Sequence, residues 1–136
     1  MLLYTTIGSD DLPRAAAFWG PIMAHLGHPP IMDADEGWYG WGAPDYDTGF
    51  GFYICPPFDG RPASAGNGIT FAFPARDAAQ VRALYALALA NGGSDDGPPG
   101  TRDAYEPSFY VAYVRDPDGH KVAFVFHHYD PVADRG

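Results

Sequence analysis

Apolar residues alternate with polar ones over several short stretches of this chain, and elsewhere they recur at helical spacing. Residues 2–8 are β-branched and aromatic, which predicts a first strand. This strand runs into Asp10 and Asp11, and either carboxylate can accept hydrogen bonds from the unpaired N–H groups that begin a helix. Pro13 is compatible with the first helical turn, where its missing N–H has no partner to lose. The chain therefore begins with a strand followed by a capped helix.

The helix that follows is predicted to stop at Gly27, a residue typical of helix ends. Six apolar residues recur at helical spacing before it: Leu12, Ala15, Ala16, Trp19, Met23 and Leu26. Pro21 lies inside this run, so we expect a kink or an early end there. Short strands are predicted around residues 30–33, 38–42 and 50–55, and the Pro-, Gly- and Ser-rich residues 57–66 predict a linker.

The second half of the chain repeats this order. Residues 68–73 predict a strand, Asp77 a helix cap, and residues 91–93 a helix end. The helical stripe between them consists of Val81, Leu84, Tyr85, Ala88 and Leu89. A polar, Gly- and Pro-rich loop follows, and then two strands joined by the Asp-Pro-Asp-Gly turn at residues 116–119.

A repeat of about half the chain predicts the duplication of one βαβββ unit. Strands that alternate in polarity, with helices on one side, favour an α+β fold whose two modules form a curved mixed sheet, a cup or half-barrel with helices on its outer face. We expect a single domain over residues 1–136, with module 1 at about 1–56, the linker at 57–66 and module 2 at about 67–128.

Composition and charge narrow the function. The chain has 136 residues, of which 46% are apolar and 15% aromatic, enough for one domain with a real core. Its formal charge of −9 argues against nucleic-acid or anionic-membrane binding, which require clustered Lys and Arg. Cys55 is the single cysteine, so an intrachain disulfide and a Cys-rich zinc site are excluded, and we expect a buried structural thiol. The lack of a long apolar run and of a signal peptide predicts a cytoplasmic protein.

Together with three sequence blocks, the duplicated unit resembles the vicinal oxygen chelate superfamily. This superfamily includes glyoxalase I, extradiol dioxygenases, fosfomycin-resistance thiol transferases and bleomycin-resistance proteins. The blocks are YTTIGSDDL at 4–12 with Phe18-Trp19, ITFAFP at 69–74, and YEPSFY at 105–110 running into VRDPDGH at 114–120. The DPDG turn followed by an amphipathic strand is the most specific of them.

The resemblance implies a divalent metal in the cup of the enzymes. Their ligands are a His on the first strand, a His, Gln or Glu on the strand that opens the second half, and a Glu on the last strand, with open positions for substrate oxygens. The matching positions here are Tyr4, Gly68 and Ala123, none of which is a usual ligand. We therefore expect no metal at that place and no other cofactor.

Side-chain alternation and the resemblance together predict which residues line the cup. A three-residue turn with Gly119 as the bulge pairs Asp116 with His120 and places Tyr113 beside the row of Ala123. The expected ligand-binding residues are Tyr4, Thr6, Trp41, Tyr53, Gly68, Thr70, Tyr105, Tyr113, Ala123 and His127. Because this lining is aromatic and rich in hydroxyl groups, it favours a flat or hydrophobic ligand. His127 and His128 are expected on opposite faces of one strand, where they cannot share a metal.

Three functions remain open at this point. The first is a metal-free, small-molecule-binding protein of the glyoxalase and bleomycin-resistance type. The second is a lyase, isomerase or dioxygenase with an altered metal or acid–base site, for which Tyr113, His127 and Glu106 are the candidate catalytic residues. The third is a module that only dimerises or binds a partner. In each case the resemblance implies a homodimer, because family members pair their modules within or between chains.

Overall fold

The computed structural model describes residues 2–32, 37–43 and 49–134 of the chain. The elements follow the order β1 (Tyr4–Gly8), α1 (Leu12–Leu26), β2 (Pro30–Met32), β3 (Tyr39–Gly42), β4 (Gly51–Cys55), β5 (Phe71–Pro74), α2 (Ala78–Ala90), β6 (Ser94–Gly100), β7 (Tyr110–Arg115) and β8 (Lys121–Phe126). The predicted α+β class, with two βαβββ modules, is confirmed.

The chain divides into two compact units, which we call module 1 and module 2. Module 1 comprises Met1–Gly66 with Pro117–Gly119, and module 2 comprises Asn67–Asp116 with His120–Gly136. Each contains a four-stranded mixed sheet, in the order β1-β4-β3-β2 for module 1 and β5-β8-β7-β6 for module 2. In both sheets the first strand runs parallel to its neighbour and the other pairs are antiparallel.

Helix α1 packs its apolar stripe against one face of the module 1 sheet. Asp11 caps its start, since a side-chain oxygen accepts a hydrogen bond from the Arg14 N–H at 3.1 Å. Gly27 ends it in a left-handed conformation with φ of 84°, as the sequence predicts. Trp19 has no exposed surface and its ring lies 4.6 Å from that of Phe52 on β4. The helix continues through Pro21 to Leu26, so the early end considered at this proline does not occur.

Helix α2 covers one face of the module 2 sheet in the same way. Asp77 caps it, accepting a hydrogen bond from the Gln80 N–H at 2.7 Å. Its buried face is formed by small and aliphatic side chains, among them Val81 and Leu84. These pack against a core to which β7 and β8 contribute Val114, Val122 and Phe124, all fully buried.

Strand β6 was not predicted, because the sequence of residues 94–100 indicates a polar loop. The segment SDDGPPG pairs with β7, but its register shifts on both sides of Gly97. It is the last strand of its sheet, so Pro98 and Pro99 lie at an edge, where a missing N–H breaks no inner ladder. Strand β5 also begins later than predicted, at Phe71, so Gly68 precedes the strand and lies in a turn.

The turn between β7 and β8 sets the register of the site. The Asp116 N–H donates to the His120 carbonyl at 3.0 Å, and the His120 N–H donates to an Asp116 side-chain oxygen at 2.8 Å. Gly119 adopts φ of 89°, a conformation that favours glycine. Tyr113 consequently pairs with Ala123, as predicted. Neither described helix is long and apolar enough to cross a membrane.

Candidate functional site

The site is built on the face of the module 2 sheet that points away from α2, which we call pocket face 2. Ala123 on β8 lies directly between Ala72 on β5 and Tyr113 on β7. Two methyl groups therefore form the floor beside an aromatic ring. Val122 and Phe124, the neighbours of Ala123 along β8, are fully buried on the opposite, helical face.

A second aromatic group comes from the connection between β6 and β7. The rings of Tyr105 and Phe109 are 5.3 Å apart and meet edge to face. Both line a cavity of about 450 Å³ together with pocket face 2. Its full lining is Thr70, Ala72, Asp96, Gly97, Arg102, Tyr105, Phe109, Tyr113, Lys121, Ala123 and Val125. A volume of this size falls in the range of roughly 300–1,000 Å³ usual for small-molecule sites.

Charged side chains surround the ring of Tyr113. The Arg102 guanidinium carbon is 5.8 Å from the ring centre and the Lys121 Nζ is 4.8 Å from it. Gly97 pairs with Tyr113 and has φ of 148°, and a Cβ there would lie 3.0 Å from the ring and 3.1 Å from an Arg102 nitrogen. Glycine at this position therefore allows the close approach of strand, ring and guanidinium.

The hydroxyl of Tyr113 is held in its neutral form. Burial first, and then a hydrogen bond with the Tyr105 side chain, raise the pKa of Tyr113 above its ordinary value of 10.0, while Arg102 acts in the opposite direction. At neutral pH this phenol is therefore an uncharged hydrogen-bonding group. It is suited to bind a polar ligand atom and unsuited to serve as a phenolate ligand or base.

Module 1 presents a different surface on the corresponding face, pocket face 1, which includes Tyr4, Thr6 and Tyr53. The ring of Tyr53 lies flat over Gly40 and Gly51. A Cβ added at Gly40 would lie 2.5 Å from a ring atom, and one added at Gly51 would lie 2.7 Å from another. Tyr4 and Trp38 stand nearly perpendicular to this ring, each with its centre 5.9 Å away. The three rings form an aromatic cluster on the two glycines.

Next to this cluster, Thr6, Trp38 and Cys55 line a cavity of about 510 Å³ with residues of the predicted linker. Cys55 is half-buried rather than fully buried. Burial raises the pKa of the Cys55 thiol from 9.0, which keeps it in the less reactive protonated form at neutral pH.

Of the residues predicted to bind a ligand, Thr70, Tyr105, Tyr113 and Ala123 line the module 2 cavity. Tyr4, Thr6 and Tyr53 lie on pocket face 1, as the alternation predicts for their strands. Trp41, which was expected to line the cup with these residues, lies instead on the helical face of the sheet. Trp41 pairs with Phe52, which contacts α1, and only 5% of its surface is exposed.

The remaining candidates lie elsewhere in module 2. Among the described residues, the cavity lining includes neither Gly68, which sits in a turn, nor the exposed His127 and Glu106. The expectation that His127 and His128 point apart was also wrong, since their ring centres are 4.4 Å apart. Strand β8 ends at Phe126, so strict alternation no longer applies to the two histidines.

The donor set does not fit the metal of the family enzymes. The residues beside Ala123 offer the methyl group of Ala72 and the neutral phenol of Tyr113, and Tyr4 is an exposed phenol packed against Tyr53. Methyl groups cannot coordinate a cation, and divalent metals prefer carboxylate, imidazole or thiolate ligands. Within residues 2–32, 37–43 and 49–134, no three His, Cys, Asp or Glu side chains are grouped as a metal site.

Sequence reasoning missed the charged residues of the cavity, Asp96, Arg102 and Lys121, and the contact of Trp38 with Tyr53. Lys121 could have been found, because it lies two residues before Ala123 and so shares its face of β8. Asp96 and Arg102 lie on and beside the irregular strand β6, where no periodic pattern indicates which way a side chain points.

The duplicated βαβββ unit defines the fold class, and sequence comparison identifies the family. Residues 2–124 match the Glyoxalase/Bleomycin resistance protein/Dioxygenase superfamily, and the chain belongs to it. No protein with curated annotation is similar enough to count as a match.

Solved structures agree with this assignment. A glyoxalase/bleomycin resistance protein from Albidiferax ferrireducens T118 is 33% identical, with 90% of this chain and 94% of that chain covered and a TM-score of 0.76. A glyoxalase-related enzyme from Fulvimarina pelagi is 22% identical, with coverage of 100% and 95% and a TM-score of 0.72. A lactoylglutathione lyase from Agrobacterium tumefaciens is 21% identical, with coverage of 92% and 92% and a TM-score of 0.58. The last two show similarity of fold alone.

Proposed function

We propose that this protein is a metal-free member of its superfamily that binds a small aromatic molecule in the module 2 cavity. The observation that carries the proposal is the combination of a floor of small side chains, Ala72 and Ala123, with walls made of Tyr105, Phe109 and Tyr113. Small residues leave room for a ring, and the aromatic walls provide edge and face contacts for it.

Polar groups around the same cavity give the ligand a preferred orientation. Thr70 contributes a hydroxyl group that can donate or accept a hydrogen bond, and the hydroxyl oxygen of Tyr113, whose proton faces Tyr105, can accept one. A few hydrogen-bonding groups among apolar walls are typical of sites that recognise a flat molecule carrying one or two polar substituents.

The test uses 2-naphthamide as a neutral flat probe and Ala72→Phe as the variant. Ala72 lies on the cavity floor but is itself exposed, so a phenyl group there fills the cavity without overpacking the core. Isothermal titration calorimetry should show saturable binding to the wild type and at least about a tenfold loss in the variant, or about 1.4 kcal/mol.

Ala83→Phe is the matched control. Ala83 is exposed on α2, the element on the opposite face of the sheet, so the same substitution there should leave binding unchanged. Equal affinity of the two variants for the probe would contradict the proposal.

Metal content distinguishes the metal-free binding protein from the enzymatic alternative, a lyase, isomerase or dioxygenase with an altered site. The purified protein is analysed by mass spectrometry before and after incubation with zinc, manganese, iron(II) and nickel. We expect far less than one metal per chain and an unchanged melting temperature, because methyl and neutral phenol groups bind these ions poorly. Stoichiometric metal would instead favour the enzyme and direct attention to Tyr4, Glu106 and His127 as ligands.

The homodimer and the cytoplasmic location are part of the same proposal. They rest on the family, whose members pair modules within or between chains, and on the single free thiol. Size-exclusion chromatography with light scattering should give twice the chain mass. A monomer at micromolar concentration would exclude the dimer without affecting the binding proposal.

A further inference from the structure

The charge of the module 2 cavity differs in sign from that of the whole chain. The protein has a formal net charge of −9, which on its own favours a cationic ligand. The cavity lining, however, contains two cations, Arg102 and Lys121, and one carboxylate, Asp96. A bound ligand responds mainly to the nearest groups, because interactions beyond about 10 Å are largely screened at ordinary salt concentrations.

The single carboxylate is already paired with basic groups. An Asp96 oxygen accepts a hydrogen bond from the Arg115 Nε at 3.0 Å and lies 3.6 Å from the Lys121 Nζ. Its negative charge is therefore compensated within the sheet. The distance to Lys121 exceeds the roughly 2.7–2.9 Å of a strong charged hydrogen bond, so this ammonium can turn toward another acceptor.

Arg102 is a fixed source of positive potential. Its guanidinium donates to the carbonyl oxygens of Pro98 at 2.7 Å, Gly100 at 3.1 Å and Thr101 at 3.2 Å. These carbonyls are neutral, so the hydrogen bonds hold the side chain in place without cancelling its charge. A guanidinium also stays protonated at any ordinary pH.

The aromatic wall cannot easily accept a cation. Both Arg102 and Lys121 lie within 6 Å of the centre of the Tyr113 ring, at 5.8 Å and 4.8 Å, which is the distance at which a cation is attracted to a ring. A cationic ligand that stacked on this ring would meet two like charges, whereas an anionic one would meet two opposite charges.

We infer that the ligand of this cavity is an aromatic anion, a ring bearing a carboxylate or a similar acidic group, and that Lys121 determines this specificity. The inference rests on the proposed function, the binding of an aromatic molecule in the module 2 cavity. The ring packs between the aromatic walls, and the anionic group lies toward Lys121.

Three matched probes test the charge preference while keeping the ring and shape nearly constant. They are 2-naphthoate, 2-naphthamide and 2-naphthamidinium, which are anionic, neutral and cationic. Calorimetric titration at pH 7.5 and low salt should give an affinity for the naphthoate at least about tenfold above that for the amide, with the amidinium weakest. Raising the salt concentration should reduce this difference.

Variants at position 121 test whether Lys121 causes the preference for the anionic probe. Lys121→Met keeps an apolar stem but removes the charge, so the naphthoate should lose about tenfold in affinity while the amide is unchanged. Lys121→Arg keeps the charge and should retain the preference for the anion. Arg76→Met makes the same change in net charge at an exposed residue outside the cavity lining, and it should behave as the wild type.

The outcomes separate the two proposals. Equal binding of the three probes, tightest binding of the amidinium, or an equal loss for naphthoate and amide in Lys121→Met would overturn the charge preference and leave aromatic binding intact. Failure of all three probes to bind would overturn the proposed function, and the inference with it.

Discussion

Modules 1 and 2 have the same order of elements and the same Asp-capped helix, but their two sheet faces are filled with different residues. On the helical side, α1 buries two large rings, Phe18 and Trp19. Helix α2 instead buries aliphatic and small residues such as Val81 and Leu84, and a fully buried ring of module 2, Phe124, comes from its sheet. The buried rings of a βαβββ frame can therefore come mainly from the helix or from the sheet, provided that the volume between helix and sheet is filled.

On the pocket faces the difference concerns chemistry. Module 1 lays the Tyr53 ring on two glycines with Tyr4 and Trp38 beside it. Module 2 has alanines at the floor and a tyrosine with two cations at its ring. The duplicated frame positions side chains, but the residue types at a few alternating positions decide what each face can bind.

The largest effect is expected from a substitution that disrupts the aromatic core of module 1. Trp19→Ala removes a fully buried ring that packs on Phe52, and we expect a loss of about 3–5 kcal/mol in the free energy of unfolding. Chemical denaturation followed by circular dichroism measures it. Trp38→Ala, at a residue 36% exposed, should cost only about 1 kcal/mol, so similar losses for the two variants would refute the difference in packing.

A second prediction concerns the glycine support of Tyr53. In Gly40→Ala the new methyl group would lie 2.5 Å from the Tyr53 ring, so the ring must move, at an expected cost of about 1–3 kcal/mol. In a Tyr53→Ala background the same change should cost less than about 0.5 kcal/mol, since the obstacle is gone. A double-mutant cycle by thermal or urea denaturation gives both values. If the losses in stability from Gly40→Ala and Tyr53→Ala are additive, the position of the Tyr53 ring does not depend on the glycine.

The shared feature of the modules, the aspartate cap, should give similar and smaller effects. Asp77→Ala and Asp11→Ala each remove an acceptor for a backbone N–H, at about 1 kcal/mol per cap. The contact is 2.7 Å for Asp77 and 3.1 Å for Asp11, so we expect the larger loss at Asp77. The Asp→Asn variants should retain most of the stability, and a loss as large as that for alanine would indicate that charge rather than capping matters.

The smallest effect is expected in the alkaline titration of Tyr113. Folding favours its neutral form, because burial and the hydrogen bond with Tyr105 raise its pKa above 10.0. The associated stabilisation is present below pH 10 and is lost as the pH rises through the raised pKa. Ultraviolet difference titration should show a late phenolate signal that decreases by one tyrosine in Tyr113→Phe, and the remainder belongs to Tyr85, whose pKa is raised by its hydrogen bond to Asp95. A Tyr113→Phe variant with an unchanged late signal would show that Tyr113 does not contribute to it.

Much of the fold was predictable because it rests on local rules. The helix from Leu12 to Leu26 is read from its apolar spacing, Asp11 and Gly27, and the β7–β8 register follows from the turn at residues 116–119. Strand β6 was not predictable, because its pairing with β7 tolerates the glycines and prolines that ordinarily indicate a loop.

The candidate site also has features that the sequence predicts and features that it does not. The sequence by itself determined the duplication, the family and the pairing of Tyr113 with Ala123, because periodicity and turn chemistry act over a few residues. Only the tertiary structure decided that Trp41 faces α1, since four residues of strand are too few to show which face is buried. It also decided that Arg102 and Lys121 meet at one tyrosine ring, because that meeting depends on the bulged register of an edge strand with its neighbour.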